Sequence, residues 1–157
     1  MNRKNAVLFP VAVLMLLAAS GEARAACPGS GTFASLTLTS GDENCGPYTL
    51  TGTASIADGA SISPATGTGL TIAGTSIIIT NTGVIQGNGS SGAILITSTA
   101  NVSSFSNNNT IITAGSGTSI LLQGDSFITT FLNTGTVEST TGSALKLEGN
   151  SSILYNS

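Results

Sequence analysis

The hexad Gly87-Asn88-Gly89-Ser90-Ser91-Gly92 has the letters of a dinucleotide fingerprint. In that motif glycines let the backbone approach a pyrophosphate at the start of a helix. Here Ala93-Ile94-Leu95-Ile96 follows directly, and a short aliphatic run of this kind reads as a strand. The hexad is therefore read as a corner loop. Asp42-Glu43 is the only adjacent acid pair that is not in the leader or isolated in the chain. Glycoside hydrolysis uses two carboxyls roughly 5–9.5 Å apart, and Asp42-Glu43 reads as a solvated turn instead. Glu138 and Glu148 have no third acid near them in sequence. A lyase would need a base and a cation to stabilise charge, yet there is no His, and no Arg follows Arg24. No catalytic residue, metal site or cofactor is expected, and the chain is read as not an enzyme.

The two cysteines, Cys27 and Cys45, are separated by 17 residues. Without a CxxC spacing or a His they do not read as a metal or redox pair, and in an exported chain they are expected to form a disulfide. Closing such a loop is worth about 3 kcal/mol. Thr37 and Thr39, and Thr49 and Thr51, form Thr-x-Thr pairs of the sort that bind ice when repeated on every coil of a solenoid. The outward column expected from the repeat reads Thr71, Leu95, Leu121, Lys146, so that row is not expected.

The N-terminus explains why export is invoked. Asn2-Arg3-Lys4-Asn5 is followed by an apolar run from Ala6 to Ala19 and then by Ser20-Gly21-Glu22-Ala23-Arg24-Ala25. A basic head, an apolar middle and a small-x-small end make a secretory signal peptide, residues 1–25. The run of about 14 residues is shorter than the roughly 20 that span a bilayer. Cleavage between Ala25 and Ala26 is expected. Arg24 stands three before Cys27, where a lipoprotein leader carries an apolar residue, so lipidation is not expected.

Removing the leader leaves Lys146 as the single basic residue against Asp42, Glu43, Asp58, Asp125, Glu138 and Glu148. Nucleic acid is excluded as a partner, because binding it requires Lys and Arg to displace phosphate counterions. A basic patch for anionic lipid is missing for the same reason. Ile, Leu and Val are plentiful and evenly spread, which opposes disorder. Low charge with regular aliphatics suits stacked strands, where rows of like charge repel.

Periodicity supplies the architecture. Asn81-Thr82-Gly83-Val84-Ile85, Asn107-Asn108-Asn109-Thr110-Ile111 and Asn133-Thr134-Gly135-Thr136-Val137 recur at 26-residue steps. Asn156 suggests a further start 23 residues on. Gly83, Asn109 and Gly135 align, residue types that accept a left-handed backbone. Ile94, Ile120 and Leu145 align, as do Ile96, Leu122 and Leu147, each set following Gly92, Gly117 and Gly142. Each unit holds three short alternating pieces, in the first Gly83–Ile85, Ala93–Ile96 and Val102–Phe105. Three short strands in 23–26 residues are the length of one coil of a parallel β-helix, whose coils bury their aliphatics by stacking. The expectation is all-β: a parallel β-helix (β-solenoid) of about four coils over residues 51–157. Residues 26–50, with the cysteines and two prolines, are expected as an N-terminal cap over the open strand edges. Asn81, Asn107 and Asn133 are expected to stack as a structural ladder at one corner.

With its leader, its cysteine loop and its recurring Asn-Thr-Gly and Gly-x-Ala-x-Leu units, the chain resembles the N-terminal passenger region of bacterial autotransporters over roughly Ser55 to Ser157. The resemblance implies passage through the periplasm and display at the cell surface. The implied partner is a C-terminal outer-membrane β-barrel translocator, absent from these residues and expected downstream of Ser157, so the chain is expected to be cut off before further coils. It implies a structural or adhesive, non-catalytic role toward a host-surface or matrix ligand. No catalytic residues of that family match. Two alternatives stand beside it: a small secreted solenoid acting alone, and the N-terminal part of a carbohydrate-active β-helix protein.

Overall fold

The computed structural model describes residues 27–157; the expected leader and its cleavage at Ala25 and Ala26 lie outside these residues. In chain order the strands are β1 (Gly31–Leu38), β2 (Tyr48–Ile56), β3 (Ser61–Ile62), β4 (Leu70–Ile72), β5 (Ile77–Asn81), β6 (Val84–Asn88) and β7 (Ile94–Ile96). They continue as β8 (Asn101–Asn107), β9 (Thr110–Ala114), β10 (Ile120–Leu122), β11 (Phe127–Asn133), β12 (Thr136–Ser139), β13 (Leu145–Leu147) and β14 (Ser152–Asn156). No helix occurs among the described residues.

All the pairings between these strands are parallel, and they stack as a β-solenoid of about four turns. The walls follow from the repeat. One stack runs β2-β4-β7-β10-β13, a second β2-β5-β8-β11-β14, and a third β3-β6-β9-β12. The first two share β2, whose Tyr48–Leu50 half pairs with β4 and whose Thr53–Ile56 half pairs with β5.

Alternation fixes what lies inside. In the first stack Leu70, Ile94, Ile120 and Leu145 pair in one column, and Ile72, Ile96, Leu122 and Leu147 in the next but one. Their intervening partners Thr71, Leu95, Leu121 and Lys146 point the other way, as period-two strands require. Ile94, Ile96, Ile120 and Leu122 are fully buried, each contributing roughly 1.5–3 kcal/mol. The expected stacking of Ile94, Ile120 and Leu145 is therefore observed. In the second stack Phe105 lies over Phe131, ring centroids 5.3 Å apart.

Two details differ from the sequence reading. Asn156 pairs with Phe131, two positions short of the asparagine column, and Tyr155 pairs with Thr130. The step of 25 residues set by Leu122 and Leu147 carries on through Phe127 and Ser152, so the 23-residue restart does not occur. Nor do Gly83, Asn109 and Gly135 have left-handed backbones. Gly135 is required by close approach instead: a Cβ there would lie 2.0 Å from the Asn109 carbonyl oxygen.

The segment read as a cap carries the outermost rung. β1 pairs in parallel with β2, and Cys45 bridges in parallel to Ile62 of the third stack. Leu36 and Leu38 are buried although β1 has no strand beyond it. The Cys27–Cys45 disulfide, with Cα atoms 5.4 Å apart, encloses this whole rung in one covalent loop.

Candidate functional site

The most ordered polar feature is the asparagine column where the second stack turns into the third. Strands β5, β8 and β11 end in Asn81, Asn107 and Asn133, which pair in register. The Asn81 Nδ2 donates to the Asn107 Oδ1 at 2.7 Å, and the Asn107 Nδ2 donates to the Asn133 Oδ1 at 2.7 Å. Asn107 also donates to the Asn109 carbonyl at 3.1 Å and approaches that of Thr136 at 3.3 Å. Asn81 and Asn107 are fully buried. The chain of amides has a direction, donor of one to acceptor of the next. It starts beneath Ile56, which pairs with Asn81, and there the buried Asn81 Oδ1 has no partner. It finishes at Asn133, whose only side-chain hydrogen bond is the one it accepts.

The glycine hexad is a corner. Gly87 closes against the next corner residue, where a Cβ would meet the Gly92 carbonyl oxygen at 1.8 Å, and Gly92 itself has φ +77°. The chain leaves into β7, a strand, so no helix N-terminus faces the loop. Asn88 donates from Nδ2 to the Pro64 carbonyl, tying the corner to the rung above.

The acids are dispersed. Asp42 is buried and accepts at Oδ2 from the Thr39 N–H (2.7 Å) and the Thr39 hydroxyl (3.1 Å), closing the turn after β1. Glu43 and Asp58 border one shallow depression with Asn44 and Asn109. Lys146 pairs with Glu148 at 2.7 Å on the same strand end, and that hydrogen bond and charge hold the exposed Glu148 carboxyl below its ordinary range. No group of three metal-ligating side chains occurs among the described residues. Burial pushes the Tyr48 phenol up, with a backbone contact at Gly46 opposing and the Asp42 charge adding. Its hydroxyl donates to the Pro28 carbonyl at 2.9 Å.

The register brings together a surface that repeat counting missed. Thr37, Ser55, Thr80 and Ser106 form one outward column across β1, β2, β5 and β8, succeeded by Leu132. Ser35, Thr53, Ile78, Ser104 and Thr130 form the column beside it. None of β1, β2, β5, β8 and β11 carries a charged residue. The Thr71 column departs to Leu95, Leu121 and Lys146 as expected, but it also runs upward through Thr49 and Thr32. The first two rungs are shorter than later ones, so a fixed period does not align them. Aligning backwards from Asn81 to Ile56 would have found the hydroxyl column. Comparison with protein-family models, with curated proteins and with solved structures finds no match to this chain.

Proposed function

We propose that this chain is an exported, non-catalytic structural and adhesive module of the autotransporter-passenger type, displayed at the cell surface. The observation that carries the reading is the uncharged hydroxyl face of β1, β2, β5, β8 and β11, held flat on a stacked parallel scaffold. A neutral face of this kind offers donors and acceptors in register to a neutral polar surface such as a glycan-rich matrix, and it repels neither anionic nor cationic neighbours. Low charge and a disulfide suit an oxidising, exported location. A β-barrel translocator encoded further along the gene is the partner this reading requires.

The test has two arms. Expression with its own leader in a Gram-negative host is expected to give a mature N-terminus at Ala26, read by N-terminal sequencing; a chain retained uncleaved in the cytoplasm sinks the export half. Beads coated with the oxidised chain are expected to adhere to matrix- or glycan-coated plates. The double substitution of Thr80→Glu and Ser106→Glu is expected to weaken that adhesion without unfolding the chain. Adhesion no greater than that of albumin-coated beads sinks the adhesive half.

A further inference from the structure

The two ends of the solenoid are not alike. At the β1 end the outermost rung already buries Leu36 and Leu38, inside the loop closed by Cys27–Cys45. At the other end the same columns that are sealed one rung earlier lie open. Leu122 is fully buried, whereas its partner Leu147 is 45% exposed. Ile128 is buried and its partner Ile153 only partly so. Phe131, Val137, Ala144 and Leu145 line an apolar hollow with Asn133 at its rim. β12, β13 and β14 have no further strand on their outer sides among the described residues, and such edges are templates for pairing.

We propose that this open face is a self-association surface, on which two copies of the chain meet end to end about a two-fold axis. The face continues the rung-to-rung interface already built between β10 and β13 and between β11 and β14. Whatever covers it must therefore offer a free strand edge, aliphatic side chains in the column positions and a partner for Asn133. The same end of a second copy offers all three. Asn133 argues for a like partner in particular. Its Oδ1 is engaged by Asn107 while its Nδ2 is unused, and a carbonyl oxygen has a second lone pair. Two such amides facing across a two-fold axis satisfy each other reciprocally, as buried asparagines do where they fix register and partner. A head-to-tail arrangement lacks this match. The β1 end presents buried Leu38, above Ile56, where the amide column would have to continue. An isologous contact closes at two copies. The proposal does not depend on the adhesive reading.

The experiment is light scattering with sedimentation on the oxidised chain secreted with its leader removed, over a wide concentration range. A monomer–dimer equilibrium is expected. Asn133→Asp keeps the acceptor for Asn107 but sets two carboxylates against each other, and it is expected to raise the dimer Kd by about tenfold or more, a change worth about 1.4 kcal/mol. Leu147→Lys, at a position too exposed to threaten folding, is expected to do the same. Ser40→Lys at the β1 end is expected to leave the Kd unchanged. Circular dichroism that stays native in all three variants separates lost association from lost folding. A chain that is monomeric at every concentration overturns the proposal. So do oligomers that grow without limit, or a dimer broken by Ser40→Lys and indifferent to the other two.

Discussion

At the scale of single residues, the asparagine column sorts its members by how many partners each would abandon. Asn107 both accepts from Asn81 and donates to Asn133, and it is fully buried. Asn107→Ala strands a donor above and an acceptor below, so its expected cost is about 2–4 kcal/mol. Asn81 already has a buried oxygen with no partner, and Asn81→Ala removes that orphan together with one good bond. It is expected to cost about 1–2 kcal/mol less than Asn107→Ala, measured by urea unfolding. Equal costs would mean that the amides pack without bonding. Tyr48 gives a pH signature. Its phenol is raised in the folded chain by burial, so the unfolded chain loses that proton first as pH climbs. Stability is thus full below the ordinary tyrosine value of 10.0 and declines as pH rises above it toward the folded value. Tyr48→Phe is expected to flatten that alkaline decline while lowering stability at neutral pH, since the bond to the Pro28 carbonyl is lost. Melting temperatures across the alkaline range measure both effects, and an unchanged alkaline slope in the variant would assign the decline to other groups. The ladder was legible as a repeated letter at a fixed spacing. Its unpaired first oxygen was not, because only the register sets Ile56 above Asn81.

At the scale of elements, the strand triplets were readable because each places two aliphatics around one outward residue and is bounded by glycine. Ile94-Leu95-Ile96 and Ile120-Leu121-Leu122 leave little choice of face. The outermost rung was less readable. β1 and β2 are eight and nine residues long, and their irregular pairing, with a register shift between Phe33 and Ser35, hides the period that the later rungs show. The end of the chain misled for a different reason. Asn156 copies the letter of the column but not its distance from Leu147, and distance along the strand decides pairing. The disulfide acts on the irregular rung alone, since β1 lies wholly inside the Cys27–Cys45 loop. Cys27→Ser, or reduction, is expected to lower stability by about 2–4 kcal/mol. Hydrogen exchange is expected to locate the loss, with the amides of β1 unprotected first and those of β5, β8 and β11 retained. Uniform loss of protection along the stack would show instead that the loop holds the whole solenoid.

At the scale of the whole molecule, a solenoid is a line of neighbours. Each rung rests on the one before it, and its stability depends on whether a rung covers it on the far side. Leu122 and Leu147 provide a controlled comparison, because they are the same residue in the same column, paired with each other and one rung apart. Leu122 is covered on both sides and fully buried; Leu147 is 45% exposed at the open face. Leu122→Ala therefore opens a cavity in a packed interior, with an expected cost of about 2–5 kcal/mol. Leu147→Ala trims a side chain already half in water, and in dilute solution it is expected to cost about 0.5–1 kcal/mol. The second value carries a further condition. If two copies close over this end, Leu147 becomes an interior residue of the pair, and the cost of its truncation rises with protein concentration by mass action. The Leu122 cost stays fixed. Chemical unfolding of both variants at several protein concentrations separates the cases. A Leu147 cost that climbs toward the Leu122 value marks the open face as half of an interface. A small cost at every concentration leaves it as a frayed edge, with β13 and β14 the first elements to exchange their amides.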